Sequence, residues 1–213
     1  MLDPAQLDAL AAGLSVVARF HQEPPDDTTL AALRQMLDEW PLPGTDGATR
    51  GIELLRSPRA AAEDAATVRA DHAGLYGTLA AARVAPYESV HRGQERLVFD
   101  EHTLEVRDAY RTLSLRAPRL NREPDDHIGL ELEFLAQSCL RAIDALEQDS
   151  PDDAARYVRL GADFFRDHLA RWAPDMLGRV VDEAHTAFMA GLAHLTLGAL
   201  ETYGEVTGVP LPA

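Results

Sequence analysis

The stretch PDDHIGLELEFLAQSCLRAIDAL, residues 124–146, joins an acidic opening to a long apolar run. From Ile128 onward, its large apolar side chains follow spacings of three and four residues, which is the period of an α-helix. Additional apolar residues widen this face over much of the helix circumference, so we predict a central helix with neighbours on several sides. Asp125 is expected to cap the helix, and His127 is expected in its first turn.

The same helical period continues on both sides of the central segment. Further helices are expected from Asp3 to Phe20, from Thr28 or Thr29 to Trp40, from Thr49 to Leu55, from Ser57 to Leu79, from Thr103 to Leu113, from Ser150 to Trp172, and after Pro174. Proline and glycine separate several of these segments, and no β-branched run alternates with polar residues. We therefore predict one all-α domain over residues 1–213, a bundle of about eight to ten helices. Residues 85–103 are the least regular part, so a functional loop is expected there.

The composition limits the classes of partner. The 213 residues carry 35 acidic and 20 basic side chains, and the formal net charge of −15 opposes binding to nucleic acid and to an anionic membrane surface. The longest apolar stretch near the C-terminus, residues 188–200, is shorter than the ~20 residues that a membrane-spanning helix needs. The N-terminus has no basic region ahead of its apolar residues, so no export signal is expected. These features predict a soluble cytoplasmic protein that binds no nucleic acid and does not insert stably into a membrane.

The sequence lacks the common catalytic motifs. There is no GxxxxGK[ST], GxSxG or HExxH stretch, and the single cysteine, Cys139, excludes a zinc site built on paired cysteines. The dipeptide Asp-His occurs three times, at residues 71–72, 126–127 and 167–168, so a metal-dependent hydrolase built on Asp/His clusters stays open as the alternative function. The paired Glu-x-x-His units of di-iron bundles are missing. We predict no metal site and no catalytic residue.

Five short blocks follow one another between about residues 65 and 200. They are DHAGLY (71–76), PYESV (86–90), VRDAY (106–110), EPDDHI with ELEFL (123–128 and 131–135) and FFRDHLARW (164–172). Their order and separations resemble those of the TorD/DmsD family of redox-enzyme maturation chaperones, in which an E-P-x-D-H signature opens the central helix. One departure is Ser114-Leu115, where the family more often has Gly-Leu.

The resemblance implies an all-helical chaperone and not an enzyme. Such a protein binds the twin-arginine signal peptide and the apo form of a DMSO-reductase-type molybdoenzyme. It assists insertion of the molybdenum cofactor and folding before export. The resemblance also implies a cytoplasmic location and no cofactor of its own. The oligomeric state stays open between a monomer and a homodimer.

A twin-arginine signal offers two guanidinium groups, so its receptor needs carboxylates. We predict that Asp126 and Glu123 supply them, with Asp71 as a further candidate. His127 is expected to orient Asp126 or to donate a hydrogen bond to a peptide carbonyl. The structural alternative is that the Asp-Asp-His trio only begins a helix.

The apolar segment of a signal peptide needs an apolar groove beside those carboxylates. We predict that Tyr76, Pro86 and Tyr87 line this groove. Tyr76 could instead belong to the core, and Pro86 with Tyr87 could form only a packed turn. A helical scaffold protein without a peptide groove is the remaining alternative.

Overall fold

The structure is a computed structural model that describes residues 3–77, 82–93, 101–118 and 124–212. Within these ranges it contains eleven α-helices, two 3-10 helices and no strand, so the all-α prediction is confirmed. The α-helices are α1 Pro4–Gln22, α2 Asp27–Met36, α3 Asp46–Leu55, α4 Pro58–Ala61, α5 Ala65–Tyr76, α6 Glu88–Arg92, α7 Glu101–Thr112, α8 Ile128–Glu147, α9 Pro151–Asp167, α10 Ala173–Glu183 and α11 Ala187–Thr207. The 3-10 helices are Leu37–Glu39 and Leu169–Arg171. None of the helices in the described ranges is long and apolar enough to span a membrane.

Two predicted helices are each divided into two α-helices in the structure. The helix expected from Ser57 to Leu79 is α4 followed by α5, because the Asp64 carboxylate accepts the Thr67 N–H at 2.8 Å and caps a new helix. Leu79 itself lies outside the described residues. The helix expected after Pro174 is α10 followed by α11, where the Thr186 hydroxyl accepts the Met189 N–H at 3.2 Å. At both divisions a short polar side chain caps the second helix, and neither glycine nor proline lies between the two helices.

α8 is the central helix, as predicted. It packs along α1 on one side and along α9 on the other, while α11 packs against α3 and α10. The apolar residues of α8 at spacings of three and four are buried: Ile128, Leu132, Leu135, Cys139 and Ala142. They join one apolar core cluster that runs from Leu7 in α1 to Tyr203 in α11.

Glycines allow two helix pairs to approach closely. At Gly51 in α3, an added Cβ would lie 2.7 Å from the Leu195 nitrogen of α11. At Gly129 in α8, an added Cβ would lie 2.7 Å from the Ala18 carbonyl oxygen of α1. Atoms that close must move apart, so these glycines set the distance between the paired helices.

Candidate functional site

His127 is the N-cap of α8. Its Nδ1 accepts the Gly129 N–H at 3.0 Å, and α8 begins at Ile128. The prediction that Asp125 caps this helix is therefore wrong. Asp125 is instead fully buried, its carboxylate pairs with Arg107 Nε, and its carbonyl accepts the Tyr110 hydroxyl at 2.9 Å.

Asp126 is fully buried and holds three helices together. One carboxylate oxygen accepts the Ser89 N–H of α6 at 2.7 Å, and the other accepts the Thr103 hydroxyl of α7 at 2.8 Å. Thr103 thus lies inside α7 and does not cap it, in contrast to the sequence prediction. Because Asp126 is fully buried, its carboxylate is not accessible to a ligand arginine, which corrects the expectation that its carboxylate faces a groove.

Asp71 and Tyr76 lie in α5, and both are buried. Asp71 pairs with Arg83 at 2.6 Å and accepts the Thr186 N–H at 2.8 Å, so it ties α5 to the start of α11. Burial raises the pKa of Asp71, but the hydrogen bonds from Arg83 and Thr186 outweigh burial and leave the pKa below its ordinary value. The Tyr76 hydroxyl bonds to His21 Nδ1 at 2.8 Å in the core. Neither side chain is exposed to bind a ligand.

Pro86 and Tyr87 lie directly beside the start of α8. Tyr87 and His127 form an antiparallel bridge, in which the Ile128 N–H donates to the Pro86 carbonyl at 2.8 Å. The Tyr87 and His127 rings meet edge to face, with centroids 5.4 Å apart. The structure therefore brings Pro86, Tyr87, Asp126 and His127 together, while Glu123 lies outside the described residues.

A cleft opens where α1 and α8 run side by side. Its smaller cavity, of about 160 Å³, contains Tyr87, Pro124 and His127, and a larger cavity of about 440 Å³ adjoins it. Gln22, Glu23, Ala117, Pro118 and Leu130 line both cavities. We call the two cavities together the α1–α8 cleft; its larger part is also lined by Arg19, Tyr110, Leu115, Arg116, Glu133, Phe134 and Gln137.

Two carboxylates of the α1–α8 cleft, Glu23 and Glu133, were not predicted from the sequence. Glu23 is exposed at the end of α1, and its side chain has no partner among the described residues. Glu133 accepts a hydrogen bond from Gln137 at 2.8 Å through one oxygen, and the other oxygen has no partner among those residues. Arg19 and Arg116 line the same cavity, so both signs of charge are present. The helical spacing of 130, 133 and 137 could have predicted Glu133, but not Glu23.

His127 is neutral at physiological pH. Burial, together with the neighbouring His72, lowers the pKa of His127 to about 3. Because Nδ1 accepts the Gly129 N–H, the ring proton is on Nε2. The predicted role of His127 as a donor to a peptide carbonyl is therefore chemically possible, since Nε2 has no partner among the described residues.

The signature blocks meet in a buried polar cluster behind the cleft. Glu88 is fully buried, pairs with Arg92 and bonds to His168 at 2.8 Å. Glu131, also fully buried, accepts the Trp172 Nε1–H at 3.2 Å. Burial and the nearby Glu88 carboxylate raise the pKa of Glu131 well above its ordinary value. Much of the sequence signature thus stabilises the fold behind the cleft.

The Asp-His pairs do not assemble a metal centre. In the ranges the structure describes, no three His, Cys, Asp or Glu side chains lie close enough together to hold a metal ion. Asp71 and Asp126 have the partners given above, and Asp167 pairs with the neighbouring Arg166 at 2.9 Å.

Comparison with known proteins identifies the family. The model of the family described as nitrate reductase delta subunit matches residues 21–177. The chain belongs to this family. It is 31% identical over 147 residues to the selenate reductase assembly chaperone protein of Thauera selenatis, across 63% of this chain and 75% of that protein.

Two further relatives are also named as chaperones. The chain is 30% identical over 118 residues to the chlorate reductase assembly chaperone protein of Ideonella dechloratans, across 54% of this chain and 58% of that protein. It is 26% identical over 112 residues to the chaperone protein TorD of Vibrio parahaemolyticus, across 53% of this chain and 51% of that protein. The chain thus spans about half the length of these two relatives.

These matches confirm the resemblance to the TorD/DmsD family of maturation chaperones. The names of the family and of these relatives indicate assembly chaperones and not catalytic enzymes. The alternative of a metal-dependent hydrolase consequently has no support.

Proposed function

We propose that this protein is a cytoplasmic chaperone that binds the twin-arginine signal peptide of a DMSO-reductase-type molybdoenzyme in the α1–α8 cleft. Binding retains the apo enzyme until its cofactor is inserted and the enzyme is ready for export. The reductase assembly chaperones among its relatives support the kind of client. The observation that carries the proposed site is that Glu23 and Glu133, each with an oxygen that has no partner among the described residues, lie beside an apolar wall in one cleft.

The wall of the larger cavity suits the apolar segment of a signal peptide. Leu115, Leu130 and Phe134 supply apolar surface, with Ala117 and Pro118 beside them. A cavity of about 440 Å³ accommodates several apolar side chains. Burial of such side chains supplies most of the binding free energy that does not depend on salt.

The carboxylates of Glu23 and Glu133 are suited to receive the two guanidinium groups. Each has at least one oxygen without a partner among the described residues, which Asp126 and Asp71 do not. The net charge of −15 adds a longer-range attraction for a cationic peptide. Arg116 opposes that attraction locally, so its removal is expected to tighten binding.

In this proposal Asp126 is a positioning residue. Its bonds to Ser89 and Thr103 fix α6 and α7 against the start of α8. That arrangement holds Tyr87 beside His127 at the smaller cavity. Replacement of Asp126 therefore affects peptide binding through the fold of the site.

Isothermal titration of the full chain with a twin-arginine signal peptide tests the site. Glu133→Gln is expected to weaken binding by about threefold to tenfold, as for a partly buried ion pair. Glu147→Gln is the matched control, because Glu147 is an exposed residue of α8 outside the cleft and the same charge is lost. Arg116→Ala is expected to bind at least as tightly as the unmodified chain. Equal affinities for Glu133→Gln and Glu147→Gln would contradict binding of the peptide in the α1–α8 cleft.

A further inference from the structure

One residue, Gly129, orients two side chains of the smaller cavity. Its N–H donates to His127 Nδ1 at 3.0 Å, and its carbonyl accepts from Gln22 Nε2 at 3.3 Å. An added Cβ at Gly129 would lie 2.5 Å from Gln22 Cγ, so the absent side chain is what lets Gln22 lie over this residue. His127 and Gln22 are therefore fixed on the two sides of a single residue, and both line the cavity beside Tyr87.

The orientation of the Gln22 amide is determined by its partners. Both of its contacts, at 3.3 Å, are carbonyl oxygens, those of Ala18 and Gly129. Only the NH₂ end of the amide can donate to them, so the Oε1 end is the opposite one. Oε1 has no partner among the described residues and is a free acceptor at the cavity.

The hydrogen bond from Gly129 likewise determines which His127 ring nitrogen carries the proton. Its Nδ1 accepts the Gly129 N–H, which leaves the ring proton on Nε2. The side chain is half-buried, and Nε2 has no partner among the residues described. The cavity thus presents one fixed donor, His127 Nε2–H, and one fixed acceptor, Gln22 Oε1.

We propose that His127 and Gln22 recognise the main chain of the bound peptide, with His127 donating to a peptide carbonyl and Gln22 accepting a peptide N–H. This inference rests on the proposed function, that the α1–α8 cleft binds a signal peptide. Inside an α-helix the N–H and C=O groups are already paired, so the segment that contacts these two side chains is non-helical. Main-chain contacts carry no side-chain information, so signal peptides that differ at this position bind equally well.

Calorimetric titration with variants tests the inference. His127→Asn retains an N-cap acceptor for α8 but lacks the Nε2 donor, and Gln22→Met retains length but lacks the acceptor. Each is expected to weaken binding by about threefold to tenfold, with the same loss at low and high salt. Gln148→Met, an exposed residue beyond the C-terminal end of α8, is the control for Gln22→Met and is expected to bind normally.

Peptides in which single amides are replaced by esters locate the contact, because an ester has no N–H. We expect one ester position that weakens binding to the unmodified chain and causes no further loss with Gln22→Met. If the unmodified chain binds the peptide but both variants bind as tightly as it does, the inference is overturned and the proposed function stands. If the unmodified chain does not bind the peptide, the proposed function itself is overturned.

Discussion

The substitution Gly129→Ala tests how closely α1 and α8 must approach. The new methyl group would lie 2.7 Å from the Ala18 carbonyl oxygen and 2.5 Å from Gln22 Cγ. Gln22 can rotate away, but the Ala18 carbonyl is backbone, so α1 has to move by several tenths of an ångström. Overpacking of this kind costs about 1–3 kcal/mol, and replacement of a helical glycine by alanine returns about 0.5–1 kcal/mol. We expect a net loss of up to about 2.5 kcal/mol in the free energy of unfolding.

Urea unfolding followed by circular dichroism at 222 nm measures this loss. Gly178→Ala is the matched control, because Gly178 is also helical and an added Cβ there meets nothing within 4 Å. The control is expected to gain about 0.5–1 kcal/mol from helix propensity alone. Gly129→Ala should also bind signal peptide more weakly, since Gln22 is displaced. A Gly129→Ala protein as stable as the Gly178→Ala protein would refute the close approach of α1 and α8.

Three further predictions concern buried titratable groups. Glu131→Gln should raise the thermal midpoint more at pH 8 than at pH 5. The pKa of Glu131 is raised in the folded protein, so above the unfolded pKa of about 4.3 the carboxyl ionises more readily in the unfolded chain, which favours unfolding. An equal gain at both pH values would contradict this prediction. Asp126→Asn should cost about 1–3 kcal/mol in urea unfolding, whereas the exposed Asp144→Asn on α8 should cost almost nothing. The pKa values of four histidines lie below the ordinary value: His21, His72, His127 and His194. Their unfolded forms take up protons first, so the free energy of unfolding measured with urea should fall as the pH drops from 7 to 5, by up to about 1.4 kcal/mol per pH unit for each histidine. A flat profile would be inconsistent with neutral native histidines.

The helical period was sufficient to predict the fold class and the central helix. Local cues also located several helix starts, such as Asp3 ahead of α1, which accepts the Ala5 N–H at 3.1 Å. The divisions at Asp64 and Thr186 were missed because no glycine or proline marks them. Within a continuous apolar pattern, the sequence does not show whether a short polar residue caps a new helix or lies inside a longer one.

The candidate site was harder to predict, because its bonds join distant parts of the chain. Asp126 bonds to Ser89 and Thr103, which lie 37 and 23 residues before it. Sequence spacing alone cannot tell a carboxylate occupied in this way from a free one. Pro86, Tyr87 and His127 were placed together correctly from the motif blocks, whereas their ability to bind a peptide stays a prediction. The carboxylates that do line the cleft, Glu23 and Glu133, become visible only when α1 is seen beside α8.

The signature residues consequently have two kinds of role. Glu88, Glu131 and Asp126 are fully buried, and their hydrogen bonds join separate helices and loops. Burial makes Glu88 and Asp126 sensitive to substitution even though no ligand contacts them in our proposal. His127 has a part in both roles, since one ring nitrogen caps α8 and the other has no partner among the residues that the structure describes.

Hydrogen exchange measured by mass spectrometry, with and without a twin-arginine signal peptide, tests the central claim most directly. Peptide binding in the α1–α8 cleft should slow exchange in three segments, residues 19–23, 115–118 and 127–137, which line the cleft. Exchange in α3 and α10, which lie outside it, should be unchanged, and a peptide with lysines in place of both arginines should protect less. Protection elsewhere with no change in the three cleft segments would contradict the account.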